Sequence, residues 1–167
     1  MNPRGITLIE LLVVIAIMGI LATAVVPLSR MTIKRTKEME LRNNLRVLRT
    51  AIDAFHRDCM PTSTTGAGTV KLSTDYCKKE QDYYPESLEQ LTEPLKLAGA
   101  VDKTRKYLRR IPRDPMTPLE SSDKPNNWGL RSYSDQPDSN YWGGGNVYDV
   151  FSKSETIGLD GSKYNTW

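Results

Sequence analysis

Histidine and cysteine are scarce in this chain: its 167 residues include one histidine, His56, and two cysteines, Cys59 and Cys77. A structural zinc site needs four ligands, and no fourth soft ligand joins these three. Hydrolytic chemistry needs a positioned base beside a nucleophile, and the only histidine lies near the end of a long helical pattern. We therefore predict a protein that is not an enzyme, with a membrane-anchored hydrolase as the alternative.

Charge is absent from residues 11–26, and the surrounding apolar run extends from Ile6 to Pro27. At about 1.5 Å per residue, a helix over this run spans roughly 30 Å, the hydrocarbon thickness of a bilayer. We therefore predict a membrane-spanning helix over residues 6–27. The single acid of the run, Glu10, lies near its start, and a carboxylate at membrane depth usually marks a functional site.

Two other kinds of N-terminal segment fit this pattern less well. A cleaved secretory signal would have a shorter apolar core and a small-residue cleavage site, for which residues 22–24 are the nearest candidates. An ordinary signal anchor fits the length, but it explains neither Glu10 nor the Arg4–Gly5 pair before the run.

The pair Arg4–Gly5, followed by ITLIELLVVIAI, resembles the N-terminal signature of type IV pilins and type II secretion pseudopilins. In that family a prepilin peptidase cuts after the glycine and methylates the new terminal amine. The resemblance implies cleavage between Gly5 and Ile6, with Ile6 as the methylated first residue. Most members begin with Phe, so Ile6 is a conservative departure.

After such a cleavage, the cationic amine of Ile6 would lie one helical turn from Glu10. The acid also lies in the first turn, where the helix dipole favours negative charge. In a bundle of parallel helices, Glu10 of one subunit could pair with the amine of a neighbour and so favour one axial stagger, because breaking a buried pair costs several kcal/mol. The alternative is an interfacial glutamate that reaches headgroup water.

The charges that flank the predicted span and the family resemblance point to opposite orientations. Four basic residues follow the span and only Arg4 precedes it, so the positive-inside rule would place the C-terminal body in the cytoplasm. The resemblance implies a single-pass protein of the bacterial inner membrane with a periplasmic head. Cys59 and Cys77 favour the second orientation, because two cysteines that close a short polar loop outside the cytoplasm often form a disulfide. Two unpaired thiols are the alternative.

Beyond Pro27 the helical pattern continues with only one apolar face. Apolar residues recur at steps of four and three: Leu41, Leu45, Leu48, Ile52 and Phe55. This spacing predicts an amphipathic continuation of the helix over residues 28–58, packed against a globular head over residues 59–167. A short coiled coil is the alternative.

The head sequence predicts a loop at Met60–Asp82, a short second helix from Tyr84 and short strands. The strand candidates are residues 129–134 and 146–152, joined by a glycine turn. The second helix would bury three leucines: Leu88, Leu91 and Leu95. The predicted fold class is α+β and pilin-like, with a long N-terminal helix, transmembrane in its first half, packed on a small antiparallel sheet.

Three head motifs resemble the major pseudopilin of type II secretion: YPESL at 84–88, YLRRIPRDP at 107–115 and VYDVFS at 147–152. Two features depart from that group. Met116–Thr117 replaces the usual Trp-Gly, and the Met60–Asp82 loop looks inserted. They leave open the alternative of a pilin or minor pilin from a type IV pilus or competence filament.

Pseudopilins of this group often bind calcium in a C-terminal loop, through acidic side chains and backbone carbonyls. The resemblance implies these ligands here: Asp160 first, then Asn165 and Glu155, with Ser152 and Leu159 as carbonyl donors. Calcium prefers about six to eight oxygens, and this loop is poor in acids. A solvated Asp-Gly turn is the alternative.

The resemblance also implies the partners of the chain. The chain would be a structural subunit that polymerises with copies of itself. Its further partners would be minor pseudopilins, an inner-membrane assembly platform driven by an ATPase, the prepilin peptidase and, indirectly, the outer-membrane secretin. No nucleic-acid partner is expected, because the basic stretch at residues 105–113 contains one aromatic residue, Tyr107, and the net charge is only +3.

Overall fold

The computed structural model describes residues 5–61, 71–99, 102–117 and 127–167, and the side chains of residues 24–28 are not among those described. Most of the predicted leader, much of the predicted loop at Met60–Asp82 and the side chain of Pro27 therefore lie outside the described part. The chain divides into two compact units, Met1–Lys37 and Glu38–Trp167, which are called here the N-terminal unit and the head unit.

One long helix, α1 (Leu8–Cys59), contributes to both units. In the N-terminal unit the apolar side chains from Leu8 to Leu21 are exposed on every side of the helix, for example Leu8 at 81% and Ile20 at 72%. Within the described part of the chain, no helix combines the length and the apolar character needed to cross a membrane.

In the head unit, α1 buries one stripe of side chains, as the spacing predicts. Leu41, Leu48, Ile52 and Phe55 have no exposed surface, and Leu45 is 3% exposed. Each such side chain contributes about 1.5–3 kcal/mol relative to an exposed position. The amphipathic half of the helix is therefore confirmed, and its stripe packs into the core of the head unit rather than into a coiled coil.

Among its described residues, the head unit contains two small antiparallel sheets. Strand β1 (Leu95–Lys96) pairs with β2 (Thr104–Arg105), and β3 (Trp128–Arg131) pairs with β4 (Asp149–Ser152). The β3–β4 pair confirms the two predicted C-terminal strands, although both are shorter than predicted. The β1–β2 pair was not predicted, because strands of two residues show no alternation that a sequence could reveal.

The second helix predicted from Tyr84 is wrong in type, because this segment forms only a short 3₁₀ helix, Glu89–Thr92. Pro94 lies two residues after the end of this helix, and a proline has no backbone N–H to donate to a continuing helix. The predicted leucine face is buried all the same: Leu88, Leu91 and Leu95 are 2%, 0% and 1% exposed. The leucine spacing therefore predicted correctly which side chains are buried, but not the type of secondary structure that carries them.

Gly129 of β3 leaves room for an aromatic ring on the neighbouring strand. Its partner in the register is Phe151 of β4. A Cβ atom on Gly129 would lie 2.3–2.6 Å from three atoms of the Phe151 ring. The ring is held in place, because Phe151 is 3% exposed and the guanidinium carbon of Arg131 lies 4.1 Å from the ring centroid. This position therefore requires glycine for steric reasons.

We expect Gly129→Ala to lower the free energy of unfolding of the head unit by about 1–3 kcal/mol, the usual cost of overpacking a core. Chemical denaturation of the full chain in detergent micelles, followed by tryptophan fluorescence, measures the change. Gly19→Ala is the control, because a Cβ atom at Gly19 meets nothing within 4 Å. Equal stability of the two variants would contradict this account of the packing.

Candidate functional site

The predicted processing site lies just before α1. Gly5 and Ile6 precede the first helical residue, and Ile6 is 77% exposed. The space around Gly5 is open, since a Cβ atom there meets nothing within 4 Å. A peptidase could therefore reach the bond between these two residues without unfolding any described element.

Thr7 caps the helix that follows. Its Oγ1 accepts a hydrogen bond from the backbone N–H of Glu10 at 3.3 Å, and its carbonyl accepts one from Leu11 at 3.2 Å. Thr-x-x-Glu is the pattern of a capping box, which defines where a helix starts. This role of Thr7 was not predicted, although the spacing from Thr7 to Glu10 is a sufficient signal.

Glu10 lies in the first turn of α1 among exposed apolar side chains. Its neighbours Leu8, Ile9 and Leu11 are 81%, 65% and 54% exposed. The partial positive charge of the helix start stabilises a carboxylate here by about 0.3–1 kcal/mol in water. That is far less than the cost of moving a charge into an apolar medium, so away from water Glu10 would need a cation.

The C-terminal loop (residues 153–167) is attached to α1 through Glu38. This glutamate is 8% exposed, and its Oε1 accepts hydrogen bonds from the N–H of Leu159 at 2.8 Å and the hydroxyl of Tyr164 at 2.7 Å. Burial, together with the hydrogen bond to Glu38, raises the pKa of Tyr164 to about 12. The hydroxyl therefore stays protonated near neutral pH and remains a donor.

Arg42, one turn further along α1, contacts the tip of the same loop. Its Nη2 lies 3.1 Å from Oδ2 of Asp160, and its guanidinium carbon lies 4.2 Å from the centroid of the Trp167 ring. Oδ1 of Asp160 accepts hydrogen bonds from the hydroxyl of Ser162 at 2.6 Å and from its N–H at 2.9 Å. The bonds from Ser162, and to a smaller extent the charge of Arg42, hold the pKa of Asp160 below its ordinary value.

Of the residues predicted to bind calcium, Asp160 already has other partners through its carboxylate and Ser152 through its hydroxyl, although the donor predicted for Ser152 is its carbonyl oxygen. Both carboxylate oxygens of Asp160 are engaged, one by Ser162 and one by Arg42. Ser152 lies in β4, and its hydroxyl donates at 2.7 Å to Asp114, a carboxylate that is 1% exposed. The strongest predicted ligand is thus neutralised within the chain.

The remaining predicted ligands do not complete a site. Glu155 is exposed, and the backbone N–H of Leu159 donates to Glu38. Asn165 is buried, and its Oδ1 finds no hydrogen-bond partner among the described residues. In the described ranges, no three His, Cys, Asp or Glu side chains come together in a way that could hold a metal. Asp160 and Glu155 are the only acids among the predicted ligands, which is few for an ion that prefers about six to eight oxygens, and calcium binding through these residues stays a prediction.

The other end of α1 is attached to the head by covalent and polar contacts. Cys59 and Cys77 form a disulfide bond, with their Cα atoms 5.2 Å apart. The buried carboxylate of Asp58 accepts a hydrogen bond from the Tyr107 hydroxyl at 2.6 Å and lies 2.9 Å from Nη1 of Arg105. Burial, followed by the bond to Asp58, raises the pKa of Tyr107, so this hydroxyl is also a neutral donor.

The single histidine serves packing. The ring of His56 is stacked on Tyr84, with the centroids 4.1 Å apart and the planes 9° from parallel. Burial lowers the pKa of His56, and the nearby Asp53 and Asp82 oppose that shift in part. The stacking on Tyr84 therefore gives the His56 ring a packing role in the head unit.

The first part of the chain matches a family model. Residues 1–26 match the prokaryotic N-terminal methylation motif. This range contains both predicted processing residues, Gly5 and Ile6, as well as Glu10.

Two curated proteins are similar to the chain beyond this motif. The type II secretion system core protein G of Klebsiella michiganensis is 32% identical over 115 residues, which cover 68% of this chain and 68% of that protein. The type II secretion system core protein G of Klebsiella pneumoniae is 30% identical over 115 residues, covering 68% and 69%. No solved structure matches the chain significantly.

The lowered pKa of His56 predicts a pH dependence of stability. Because the folded state binds a proton less readily than the unfolded state, His56 favours folding above its unfolded pKa of about 6.5 and opposes it as the pH falls below that value. We expect the wild-type melting temperature to fall more between pH 7.5 and pH 5.5 than that of His56→Phe, which keeps the stacked ring. Equal falls in the two proteins would contradict the assignment.

Proposed function

Since the chain belongs to the family of type II secretion system core protein G, we propose that it is the major pseudopilin of such a system. It polymerises into the periplasmic pseudopilus that drives export of folded proteins across the outer membrane. The observation that carries this proposal is the identity of 30–32% to two core proteins G over 68% of the chain. Because both relatives are named for secretion, a surface pilus or competence filament is not favoured.

The exposed apolar surface of α1 supports a role in which other molecules cover it. In a single chain, the side chains from Leu8 to Leu21 lie open on all sides of the helix. Burying each Leu, Ile or Val contributes about 1.5–3 kcal/mol. Lipid would cover this segment before assembly, and the same segments of neighbouring subunits would cover it in the filament.

The position of Glu10 supports a register between subunits. It lies one turn from Ile6, whose amine becomes free and cationic if the peptidase cuts after Gly5. Inside a bundle of apolar helices, the carboxylate of one subunit would pair with that amine of the next. Leaving either charge buried and unpaired costs about 3–5 kcal/mol, so one axial stagger is favoured over the others.

The remaining assignments follow from this role. The chain is inserted in the inner membrane with its head in the periplasm, where a disulfide between Cys59 and Cys77 is stable. It acts as a structural subunit rather than an enzyme. Its partners are further copies of itself, minor pseudopilins, the assembly platform and the prepilin peptidase, with the secretin as an indirect partner.

We expect the mature protein isolated from its native cells to begin with methylated Ile6. Intact-mass spectrometry would show the loss of residues 1–5 and the gain of one methyl group. Gly5→Val places a branched side chain at the cleaved bond and should leave the precursor uncut, whereas Asn2→Ala should be processed normally. Retention of Met1 in the functional wild-type protein would exclude the proposed processing.

We expect Glu10→Ala to insert and be cleaved normally but to form at least about tenfold fewer filaments, because the intersubunit pair is lost. Immunoblots of sheared filaments and of exported cargo in the medium measure this. Glu40→Ala is the control, since Glu40 is an exposed glutamate of the same helix. Thr7→Ala removes the helix cap, at a cost of about 1 kcal/mol, but keeps the acid, so its effect should be mild. Normal filaments from Glu10→Ala would rule out the pairing.

A further inference from the structure

Three polar side chains on one face of α1 hold the end of the chain. Glu38, Arg42 and Arg49 are separated by four and seven residues, which places them along one stripe of the helix. Glu38 and Arg42 contact the C-terminal loop as described above. Arg49 extends the attachment, because its Nη2 donates to the backbone oxygens of Trp167 at 2.9 Å and Val150 at 3.1 Å.

The cation at the Asp160 carboxylate is the guanidinium of Arg42. It lies on Oδ2, while Ser162 occupies Oδ1. The same guanidinium covers the indole of Trp167, and the indole Nε1–H donates to the hydroxyl of Ser162 at 2.6 Å. A divalent cation at this carboxylate would lie close to the guanidinium of Arg42, and like charges repel each other.

We propose that Arg42 supplies the positive charge that calcium supplies in related pseudopilins, so that the C-terminal loop of this chain folds onto α1 without a bound metal ion. The proposal concerns the single chain and does not depend on polymerisation.

The attachment has a buried part and an exposed part. Glu38 is the buried part, with two hydrogen bonds to the loop. The side chains of Arg42 and Asp160 are 60% and 45% exposed, and an exposed ion pair contributes little by itself. The contact of Arg42 with the Trp167 ring adds to that pair. The unpartnered Oδ1 of Asn165 is a single neutral oxygen, which falls far short of a calcium site.

Limited digestion of the full chain in detergent micelles with endoproteinase Lys-C tests the proposal. Cleavage after Lys163 releases residues 164–167, and it requires the loop to leave α1. Mass spectrometry of the released peptide gives the rate, in excess calcium and in excess EGTA. For the wild type we expect the same rate and the same melting temperature in both.

Two variants and a matched control measure the attachment itself. Glu38→Ala and Arg42→Ala should each accelerate release at least about threefold, with and without calcium alike, because local opening becomes more frequent. Arg46→Ala should behave like the wild type. Arg46 is an exposed arginine that lines one groove together with Arg42 and Asp160, but it makes none of the contacts described above.

Two results would overturn the proposal. One is that calcium raises the melting temperature of the wild type or slows release of its C-terminal peptide, and that Asp160→Asn abolishes this calcium effect. The other is an Arg42→Ala variant that releases the peptide no faster than Arg46→Ala. Both measurements use the unpolymerised chain, so a failure here is distinguishable from a failure of the pseudopilin assignment, which the filament and secretion assays test.

Discussion

The head unit is organised around one face of α1. In the part of the chain that the structure describes, each of its two sheets has two strands, and an isolated two-stranded sheet is marginally stable in water. The stripe from Leu41 to Phe55 gives these strands and the leucines around Leu91 a common apolar surface. Other contacts hold the two ends of that stripe. Glu38 accepts a hydrogen bond from the C-terminal loop at the start, and at the end Asp58 accepts one from Tyr107 beside the Cys59–Cys77 disulfide. Packing on the helix therefore supplies the stability that short strands lack.

The N-terminal part of the same helix is built for a different environment. Apart from Glu10, the side chains from Leu8 to Leu21 are apolar and exposed, so within one chain they gain nothing from burial. Thr7 and Glu10 begin the helix through a capping contact, which places the one acid of the segment at a defined position. A helix with this surface is suited to packing against other helices of its kind, which agrees with membership of the family of type II secretion system core protein G.

The C-terminal loop differs from the pattern that the family resemblance implies. Its strongest acid, Asp160, is neutralised by an arginine of α1, and Glu38 gives the loop a buried anchor. The last residues of this chain are therefore attached to α1 by side chains of the helix itself.

Local patterns in the sequence determined the helix period, its apolar stripe, the N-terminal signature, the buried leucines at 88, 91 and 95, and the two C-terminal strands. These features depend on residue type and spacing over a few turns or one strand, so they can be predicted without knowing the fold. Tertiary structure alone decided the roles of Glu38, Arg42 and Gly129. Glu38 and Arg42 meet partners 118–126 residues away, and Gly129 is needed because Phe151 lies over it. In the sequence, charged residues beside an apolar stripe are typical of a solvated face. Only the position of the C-terminal loop in the folded chain shows that two of them, Glu38 and Arg42, bind that loop.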